Sequence, residues 1–305
     1  MKIIDAHNHP DWHGKDFNRF LQDMDEKNIE KCWLLSWECP RNEYYNDTVK
    51  VVPSNLLGTT TGPIPFSRCV SYAERAPERF ILGYAPDPRD ADACNKLIAA
   101  HDIYNVRVCG ELKYRVMYDN FDCLRLFRTA GMLKMPVIMH FDYDRATEAG
   151  APRCDWYGGT IDTLERVLQA CPETIFIGHA PGFWIHISDD DLYKKCSYPA
   201  SDFPVTETGR ITQLLRKYPN LYCDISAGSG LKALSRDKDH AIKFLTEFQD
   251  RVLYARDNFT NSHQEFLNSL NLPETVLSKI YHKNAESLIT PDPVRQIKNG
   301  CCKKM

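Results

Sequence analysis

The sequence predicts a single-domain (β/α)8 barrel with long loops after its strands. Eight short apolar runs alternate with segments of helical apolar spacing over 305 residues. No Gly-rich phosphate-binding turn follows the first run, which argues against the alternative, a doubly wound open sheet. No Ser/Gly-rich linker or block of like charges interrupts the alternation. We therefore predict a barrel at residues 1–290 and a C-terminal tail at residues 291–305.

The predicted strands are rich in Val, Ile, Leu and Tyr, and a polar loop follows each of them. They are Lys2–His7, Lys31–Trp37, Phe80–Asp87, Val106–Tyr114, Pro136–Asp142, Thr174–His179, Leu221–Ser226 and Arg251–Asp257. Helical spacing of apolar residues marks Asp16–Asn28, Arg89–His101, Asn120–Leu133, Thr160–Ala170, Glu207–Lys217, Asp239–Gln249 and Pro273–Leu288. A barrel enzyme carries its reactive side chains where its strands end, so candidate functional residues are sought there.

Composition and charge narrow the class of function. A formal net charge of -3 without a long basic run argues against nucleic acid as the main partner. No stretch approaches the length of a membrane span, and the chain begins with a strand instead of an export signal. The twelve cysteines are scattered singly apart from Cys301-Cys302, which fits a reducing compartment. We expect a cytoplasmic protein.

The first predicted strand leads into two histidines. In Asp5-Ala-His7-Asn-His9, the two-residue period of a strand puts both imidazoles on one face at its C-terminal end. Two neutral imidazoles that project the same way can share one divalent metal ion. Because His-x-His also arises by chance, the motif alone fits a metal site and a surface loop equally well.

Three later strands also end in polar residues. His140 ends the fifth predicted strand, His179 the sixth and Asp257 the eighth. Any one of them could be a core or capping residue whose hydrogen bonds are satisfied. Together with His7 and His9 they lie at the C-terminal ends of barrel strands, which favours one shared metal site.

This ordered set resembles the amidohydrolase superfamily, and within it amidohydrolase-related family 2, the branch of aminocarboxymuconate-semialdehyde decarboxylase-like enzymes and related lactonases. The matching segments cover nearly the whole chain and are Asp5–His9, Val137–His140, Ile177–Gly182, Leu253–Asp257 and Tyr281–Leu288. The family usually shows a small residue, Ser/Thr, Asp, Tyr/Trp and Pro on strand eight. Here Ala255-Arg256-Asp257-Asn258-Phe259 stands in that place, and the Asp is kept.

The resemblance implies a role for each strand-end residue. A divalent metal, zinc before manganese and one ion before two, would be held by His7, His9, His140 and Asp257. Asp257 would also pass a proton from water to a leaving group. His179 would polarise a substrate carbonyl as a second catalytic residue. The implied partner is a small-molecule substrate bearing a carboxylate, and a homodimer is a family-level expectation.

The fourth predicted strand carries three charges of the same parity, in Cys109-Gly-Glu111-Leu-Lys113-Tyr-Arg115. Glu111 and Lys113 are expected to face the barrel mouth. Lys113 and Arg115 could hold a substrate carboxylate, while Glu111 could be a metal ligand or bridge to a second ion. An ion pair between Glu111 and Lys113 that only stabilises the barrel is the alternative. We favour Lys113 for substrate and keep Glu111 as a candidate ligand.

Long loops follow predicted strands two, five and six, at 38–65, at 141–159 and from Pro181 onward. Long loops at the active face of a barrel usually shape the pocket. Their aromatic residues suit a planar substrate or pack the loops themselves. Phe183 and Trp184 are the best pocket candidates, with core packing as the alternative.

Three functions fit these features. The leading one is a metal-dependent hydrolase of an amide, ester or lactone. The second is a metal-dependent non-oxidative decarboxylase, which shares the ligand set in this branch. The third is an inactive barrel that serves as a binding protein. The third reading is supported only by Arg256, which could compete with a cation for Asp257.

Overall fold

The computed structural model describes residues 1–40, 43, 62–142, 156–192, 198–199 and 204–289. Its strands are β1 (Ile4–Asn8), β2 (Lys31–Leu35), β3 (Trp37–Cys39), β4 (Gly62–Ile64), β5 (Phe80–Gly83), β6 (Cys109–Leu112), β7 (Val137–His140), β8 (Phe176–His179), β9 (Leu221–Asp224) and β10 (Val252–Leu253). All eight predicted strands are present, although shorter than predicted. The hairpin β3–β4 is additional, and the predicted second strand ends at Leu35.

The eight other strands run parallel and close into a ring. β1, β2 and β5 pair in that order, and β6 to β10 pair consecutively. The amide of Tyr84 donates to the carbonyl of Val108 at 3.0 Å and so joins β5 to the segment that enters β6. The amide of Ala6 donates to the carbonyl of Tyr254 at 3.0 Å and joins β1 to the end of β10. This order is that of a (β/α)8 barrel, which confirms the predicted fold class.

Helices cover the outside of the ring and mostly follow the predicted spacing. They are α1 (Phe17–Glu26), α2 (Phe66–Arg75), α3 (Ala93–Tyr104), α4 (Phe121–Met132), α5 (Ile161–Ala170), α6 (Pro181–Trp184), α7 (Arg210–Lys217), α8 (Ala227–Ser235), α9 (Lys238–Glu247), α10 (Ser262–Ser269), α11 (Glu274–Ser278) and α12 (Asn284–Leu288). Between α11 and α12 lies a π-helical turn at Lys279–Lys283. Among the described residues, no helix is long and apolar enough to span a membrane.

The apolar core has two parts. The smaller cluster fills the inside of the barrel and draws on most of its strands, with Ile4, Trp33, Val108, Ile138 and Ile177 among its members. The larger cluster packs the outer faces of the strands against the helices. Because the inside is filled with side chains, polar groups can gather only at its ends. The predicted tail at residues 291–305 lies outside the described residues.

Candidate metal centre

Four histidines and two carboxylates meet where the barrel strands end, and Glu111 lies in their middle. Its Oε2 is 3.2 Å from Nε2 of His9 and 3.8 Å from Nε2 of His7. Its Oε1 is 2.6 Å from Nδ1 of His140 and 3.6 Å from Nε2 of His179. These five side chains are buried. The structure therefore brings the four predicted histidines together around one acidic group.

Asp257 completes the group from the end of β10. Its Oδ1 is 3.6 Å from Nε2 of His9 and its Oδ2 is 3.9 Å from Nε2 of His179. Its backbone lies in the left-handed region with φ of 51°. Two hydrogen bonds hold it there, from the Asp257 amide to the carbonyl of His7 at 2.8 Å and from Nε1 of Trp12 to the Asp257 carbonyl at 3.0 Å. All the predicted ligand candidates are thus neighbours.

Two histidines are held by single partners on their outer sides. Nδ1 of His9 donates to the backbone carbonyl of Leu35 at 2.8 Å, which leaves Nε2 facing Glu111. Nε2 of His140 lies 3.0 Å from Oδ2 of Asp142, which leaves Nδ1 facing Glu111. A ring nitrogen that donates outward leaves the other nitrogen of a neutral imidazole with a lone pair directed inward.

Asp224 holds the other two histidines, and sequence reasoning missed it. It ends β9; its Oδ2 is 3.1 Å from Nδ1 of His7 and its Oδ1 is 3.0 Å from Nδ1 of His179. Ser226 donates to Oδ1 through its hydroxyl at 2.6 Å and its amide at 3.1 Å. A signal was available, because Asp224 is a polar residue at the end of a predicted strand, like His140.

The donor set fits a divalent cation. Nε2 of His7 and Oδ1 of Asp257 are buried and have no hydrogen-bond partner among the described residues. Buried polar atoms normally have hydrogen-bond partners, so two without partners in the same centre indicate that a bound group is missing. Imidazole nitrogens and carboxylate oxygens together are ligands that zinc and other divalent metals accept. His7, His9, Glu111, His140, His179 and Asp257 could hold such an ion.

The buried carboxylates of the centre are held ionised. Burial by itself would raise the pKa of Glu111, but Lys113 and His140 hold that pKa well below its ordinary value. Burial also opposes ionisation of Asp224, and the neighbouring His179 and His7 lower its pKa all the same. Ionised carboxylates at this depth need positive charge close by.

The pKa values of His7 and His179 are shifted in opposite directions. Burial would lower the pKa of His7, but the nearby carboxylates of Asp224 and Glu111 raise it well above its ordinary value. For His179 burial prevails over Asp224, so its pKa is lowered and the neutral ring is favoured. Without a metal ion, the centre therefore retains positive charge as a proton on His7.

Lys113 and Arg115 lie on one side of the mouth, beside Tyr157. Nζ of Lys113 is 4.1 Å from the ring centroid of Trp37 and 5.5 Å from that of Tyr157. The guanidinium of Arg115 is 5.9 Å from the Tyr157 ring, and its backbone amide donates to Oε2 of Glu43 at 3.0 Å. The charge of Lys113 reaches Glu111, whose pKa it lowers. These two predicted substrate residues therefore share one region near the centre.

Phe183 and Trp184 do not line a pocket, which corrects the prediction for both. Each ring is fully buried at 0% exposure. Phe183 packs so closely on Gly178 that a Cβ there would lie 2.3 Å from its ring. Nε1 of Trp184 donates to the backbone carbonyl of Asp224 at 3.0 Å. The core-packing alternative is the correct one, because both rings support the strands below the centre.

Arg256 points away from Asp257 and does not compete for its carboxylate. Its Nε lies 2.8 Å from Oδ2 of Asp5, and its Nη1 lies 2.7 Å from Oδ2 of Asp23. The sequence support for an inactive barrel is therefore removed. The predicted loops at 38–65 and 141–159 lie largely outside the described residues.

Comparison with protein families identifies the class of protein. A family model described as Amidohydrolase matches residues 66–289, well over half of the chain. The chain belongs to this amidohydrolase family, as its motifs indicated, and the prediction of a metal-dependent enzyme is confirmed. A search of curated proteins finds no match.

Similar solved structures match the chain over almost its full length. A dihydroxybenzoic acid decarboxylase from Polaromonas sp. JS666, with bound manganese and the inhibitor 2-nitroresorcinol, is 15% identical with a TM-score of 0.61, and the match covers 94% of this chain and 96% of that one. A 5-carboxyvanillate decarboxylase from Sphingomonas paucimobilis is 12% identical with a TM-score of 0.59, and the match covers 94% of this chain and 98% of that one. A probable 2-pyrone-4,6-dicarboxylic acid hydrolase from Acinetobacter baumannii, with citric acid bound, is 13% identical with a TM-score of 0.55. That match covers 95% of this chain and 99% of the other. At these identities the likeness establishes the fold.

Proposed function

We propose that this protein is a metal-dependent hydrolase whose centre holds two divalent ions bridged by Glu111. The observation that carries the proposal is that the two oxygens of Glu111 face two different pairs of histidines. His7, His9 and Glu111 offer one group of ligand atoms within 4.8 Å of one another, and Glu111, His140 and His179 offer a second. A third group, His7, His179 and Asp257, shares one histidine with each of them. A carboxylate that belongs to the first two groups is placed to bridge two ions.

We propose two ions where the sequence favours one. One ion at the first group would leave His140 and His179 without a metal, although both direct a ring nitrogen at Oε1 of Glu111. In the two-ion arrangement His179 is therefore a ligand instead of a group that polarises the substrate. We propose zinc before manganese, because zinc accepts this mixture of imidazole and carboxylate ligands readily.

Hydrolysis of an amide, ester or lactone is the reaction that this arrangement supports best. Paired divalent ions lower the pKa of water and stabilise the attacking and leaving oxygens of a displacement. Oδ1 of Asp257 is buried and has no hydrogen-bond partner among the described residues, so it can accept the proton of the attacking water. The same carboxyl group then delivers that proton to the leaving atom.

Lys113 and Arg115 are the reason for proposing that the substrate carries a carboxylate. The ammonium of Lys113 lies against the Trp37 ring, which keeps it directed across the mouth. Arg115, beside the same Tyr157 ring, can bind a carboxylate in bidentate fashion. We therefore propose a small substrate that carries a carboxylate and has a planar part able to lie against these rings.

Non-oxidative decarboxylation is the second candidate. Relatives named as decarboxylases match this chain over 94% of its length. Decarboxylation needs no attacking water, so it would make no use of the paired arrangement around Glu111. The two reactions also differ in what they release, because only hydrolysis transfers a solvent oxygen to the product.

The proposal is tested by metal content and by the origin of the product's oxygen. Protein purified without a metal-scavenging tag is analysed for metal beside His7→Ala and the control His282→Ala, whose ring pairs with Glu286 away from the centre. About two equivalents of metal in the wild type and in His282→Ala, with part of it lost only in His7→Ala, support the two-ion centre.

The origin of the product's oxygen is measured next. Active substrates from a screen of carboxylate-bearing lactones, esters and amides are turned over in 18O-water. Label in the organic product supports hydrolysis. Release of carbon dioxide with an unlabelled organic product supports the decarboxylase, and absence of metal after reconstitution overturns both.

A further inference from the structure

Asp224 touches one histidine of each proposed ion group. Its Oδ2 is 3.1 Å from Nδ1 of His7, which belongs to the first group, and its Oδ1 is 3.0 Å from Nδ1 of His179, which belongs to the second. We infer that Asp224 is a positioning residue shared by the two ion positions, so that loss of its carboxylate weakens both ions together. The inference rests on the proposed two-ion centre.

The hydrogen bonds around Asp224 determine the tautomer of both rings. An ionised carboxylate only accepts hydrogen bonds. The hydroxyl and the amide of Ser226 donate to Oδ1, and Oγ of Ser226 also lies 3.0 Å from Nδ1 of His179. A hydroxyl that donates to Oδ1 can only accept from that ring, so every contact is complete when both Nδ1 atoms carry hydrogen. A neutral ring with hydrogen on Nδ1 has its lone pair on Nε2, and Nε2 is the atom that His7 and His179 direct toward Glu111.

The backbone of Asp224 is anchored, so the carboxylate cannot adapt to one ring without affecting the other. Asp224 is fully buried and pairs with Leu253 in the parallel ladder of β9 and β10. Nε1 of Trp184 also donates to its carbonyl at 3.0 Å. Side chains held by rigid strands and outer hydrogen bonds keep metal ligands in their binding geometry.

His140 provides a matched comparison, because its outer partner, Asp142, contacts no second histidine of the centre among the described residues. Nε2 of His140 lies 3.0 Å from Oδ2 of Asp142. Removing the charge of Asp142 should therefore disturb one ion position. Removing the charge of Asp224 should disturb two.

The experiment titrates metal-free protein with zinc in competition with a fluorescent chelator of known affinity. Asp224→Asn keeps the size of the side chain but removes the negative charge that both Nδ1–H groups face. One ring then loses its acceptor and the other keeps only a neutral carbonyl oxygen, which is a weaker acceptor. We expect both zinc ions to bind about 10- to 100-fold more weakly in Asp224→Asn, and only one of them in Asp142→Asn. Asp224→Asn that weakens one ion alone, or neither, overturns the inference.

A spectroscopic measurement separates positioning from a general structural role. In zinc-loaded wild-type protein labelled with nitrogen-15, His7 and His179 should both carry hydrogen on Nδ1, and in Asp224→Asn at least one should not. A variant that only lowers thermal stability while both tautomers persist overturns the inference. If Asp224→Asn does not fold, Ser226→Ala keeps the charge, removes one donor to Oδ1, and should weaken the His179-side ion by a few fold.

The same titration distinguishes the inference from the proposed function. If wild-type protein binds one zinc ion, the two-ion proposal fails by itself. The tautomers measured for His7 and His179 then still show whether the Asp224 carboxylate orients both rings.

Discussion

Two buried clusters of charge lie at the end of β10, and consecutive residues point into them. Arg256 enters a cluster with Asp5 and Asp23, at distances of 2.8 Å and 2.7 Å. Asp257 enters the metal centre, where its Oδ1 and Nε2 of His7 have no hydrogen-bond partner among the described residues. Although Nη2 of Arg256 also lacks a hydrogen-bond partner there, the charge of that side chain is matched by two carboxylates.

The difference shows how a structural ion cluster can be told from a binding site. An arginine is always protonated, so the cluster of Arg256 is balanced by the protein's own cation. The metal centre relies on histidines, which are neutral when they bind metal. The negative charges of Glu111, Asp224 and Asp257 then exceed the single positive charge of Lys113 that reaches Glu111. The unusual Arg256 is thus part of the scaffold, and the role that the family motif implies for Asp257 stays a prediction.

The largest expected effect comes from Glu111→Gln, which removes the shared charge at the metal centre. A neutral amide is a poor bridging ligand, so metal content should fall below two equivalents and kcat/KM by at least about 10³-fold. Elemental analysis and steady-state kinetics measure both quantities. A Glu111→Gln enzyme that keeps two ions and activity within tenfold of wild type would contradict the bridging role.

Arg256→Leu should act on stability instead of metal binding. The change leaves Asp5 buried without its cation, whereas Asp23 still pairs with Lys15 and Lys27. Breaking a buried ion pair in this way costs about 3–5 kcal/mol in the free energy of unfolding. Urea unfolding of metal-free protein measures the loss. Adding Asp5→Asn should recover part of it, because the uncompensated charge is then removed. Unchanged stability together with lost metal would show that the two clusters are not separate.

Lys113→Met tests whether Lys113 balances the centre, as Arg256 balances its cluster, or binds substrate. We expect KM to rise about 10- to 100-fold, because a hydrogen bond to a charged group is worth roughly 1.5–3 kcal/mol. Metal content should not change, and Lys113→Arg should retain most of the affinity. A large fall in unfolding free energy with normal KM would make Lys113 a structural counter-charge.

Metal binding should depend on pH because an ion must displace the proton of His7. Asp224 and Glu111 raise the pKa of His7 against the effect of burial. Protonated His7 therefore stabilises the metal-free protein fully at pH values below the unfolded-state pKa of about 6.5. This contribution to the free energy of unfolding is lost as pH rises through the higher pKa of the folded state. Metal affinity should increase over that same range, by about tenfold per pH unit for each proton released. Calorimetry in two buffers counts the protons, and no proton release would contradict the assignment.

The smallest effect is expected from Trp184→Phe, which tests the corrected role of a buried ring. The change removes the hydrogen bond to the carbonyl of Asp224 and should lower the free energy of unfolding by about 1 kcal/mol. KM should stay within about twofold of wild type, since the ring has no exposed surface. A rise of tenfold or more in KM with unchanged stability would return Trp184 to the pocket.

Much of the centre was predictable where strand periodicity runs unbroken. Ile138 and Ile177 face the inside of the barrel, so His140 and His179, two residues later in each strand, reach its mouth. Ala255 and Asp257 show the same spacing at the end of β10. Apolar runs followed by a polar residue therefore identified both the strands and three of their terminal functional groups.

Two other positions were decided by irregular strand pairing. Ile4 and Ala6 face inward, so simple alternation would turn His7 outward, but the pairing of β1 with β2 shifts between Asp5 and Asn8. A similar shift between Cys109 and Leu112 accompanies the inward position of Glu111. A slip of one residue reverses which face a side chain occupies, and a short sequence pattern does not reveal where the slip falls.

The sequence by itself determined the barrel, the family and the residue types gathered where the strands end, because these follow from local periodicity and ordered motifs. Only the tertiary structure decided which charges belong together. Asp224 meets His7 across 217 residues of chain, and Arg256 meets Asp5 across 251. Electrostatic pairing depends on distance in space, so the same charged residue can complete the scaffold or leave a site open for a metal ion.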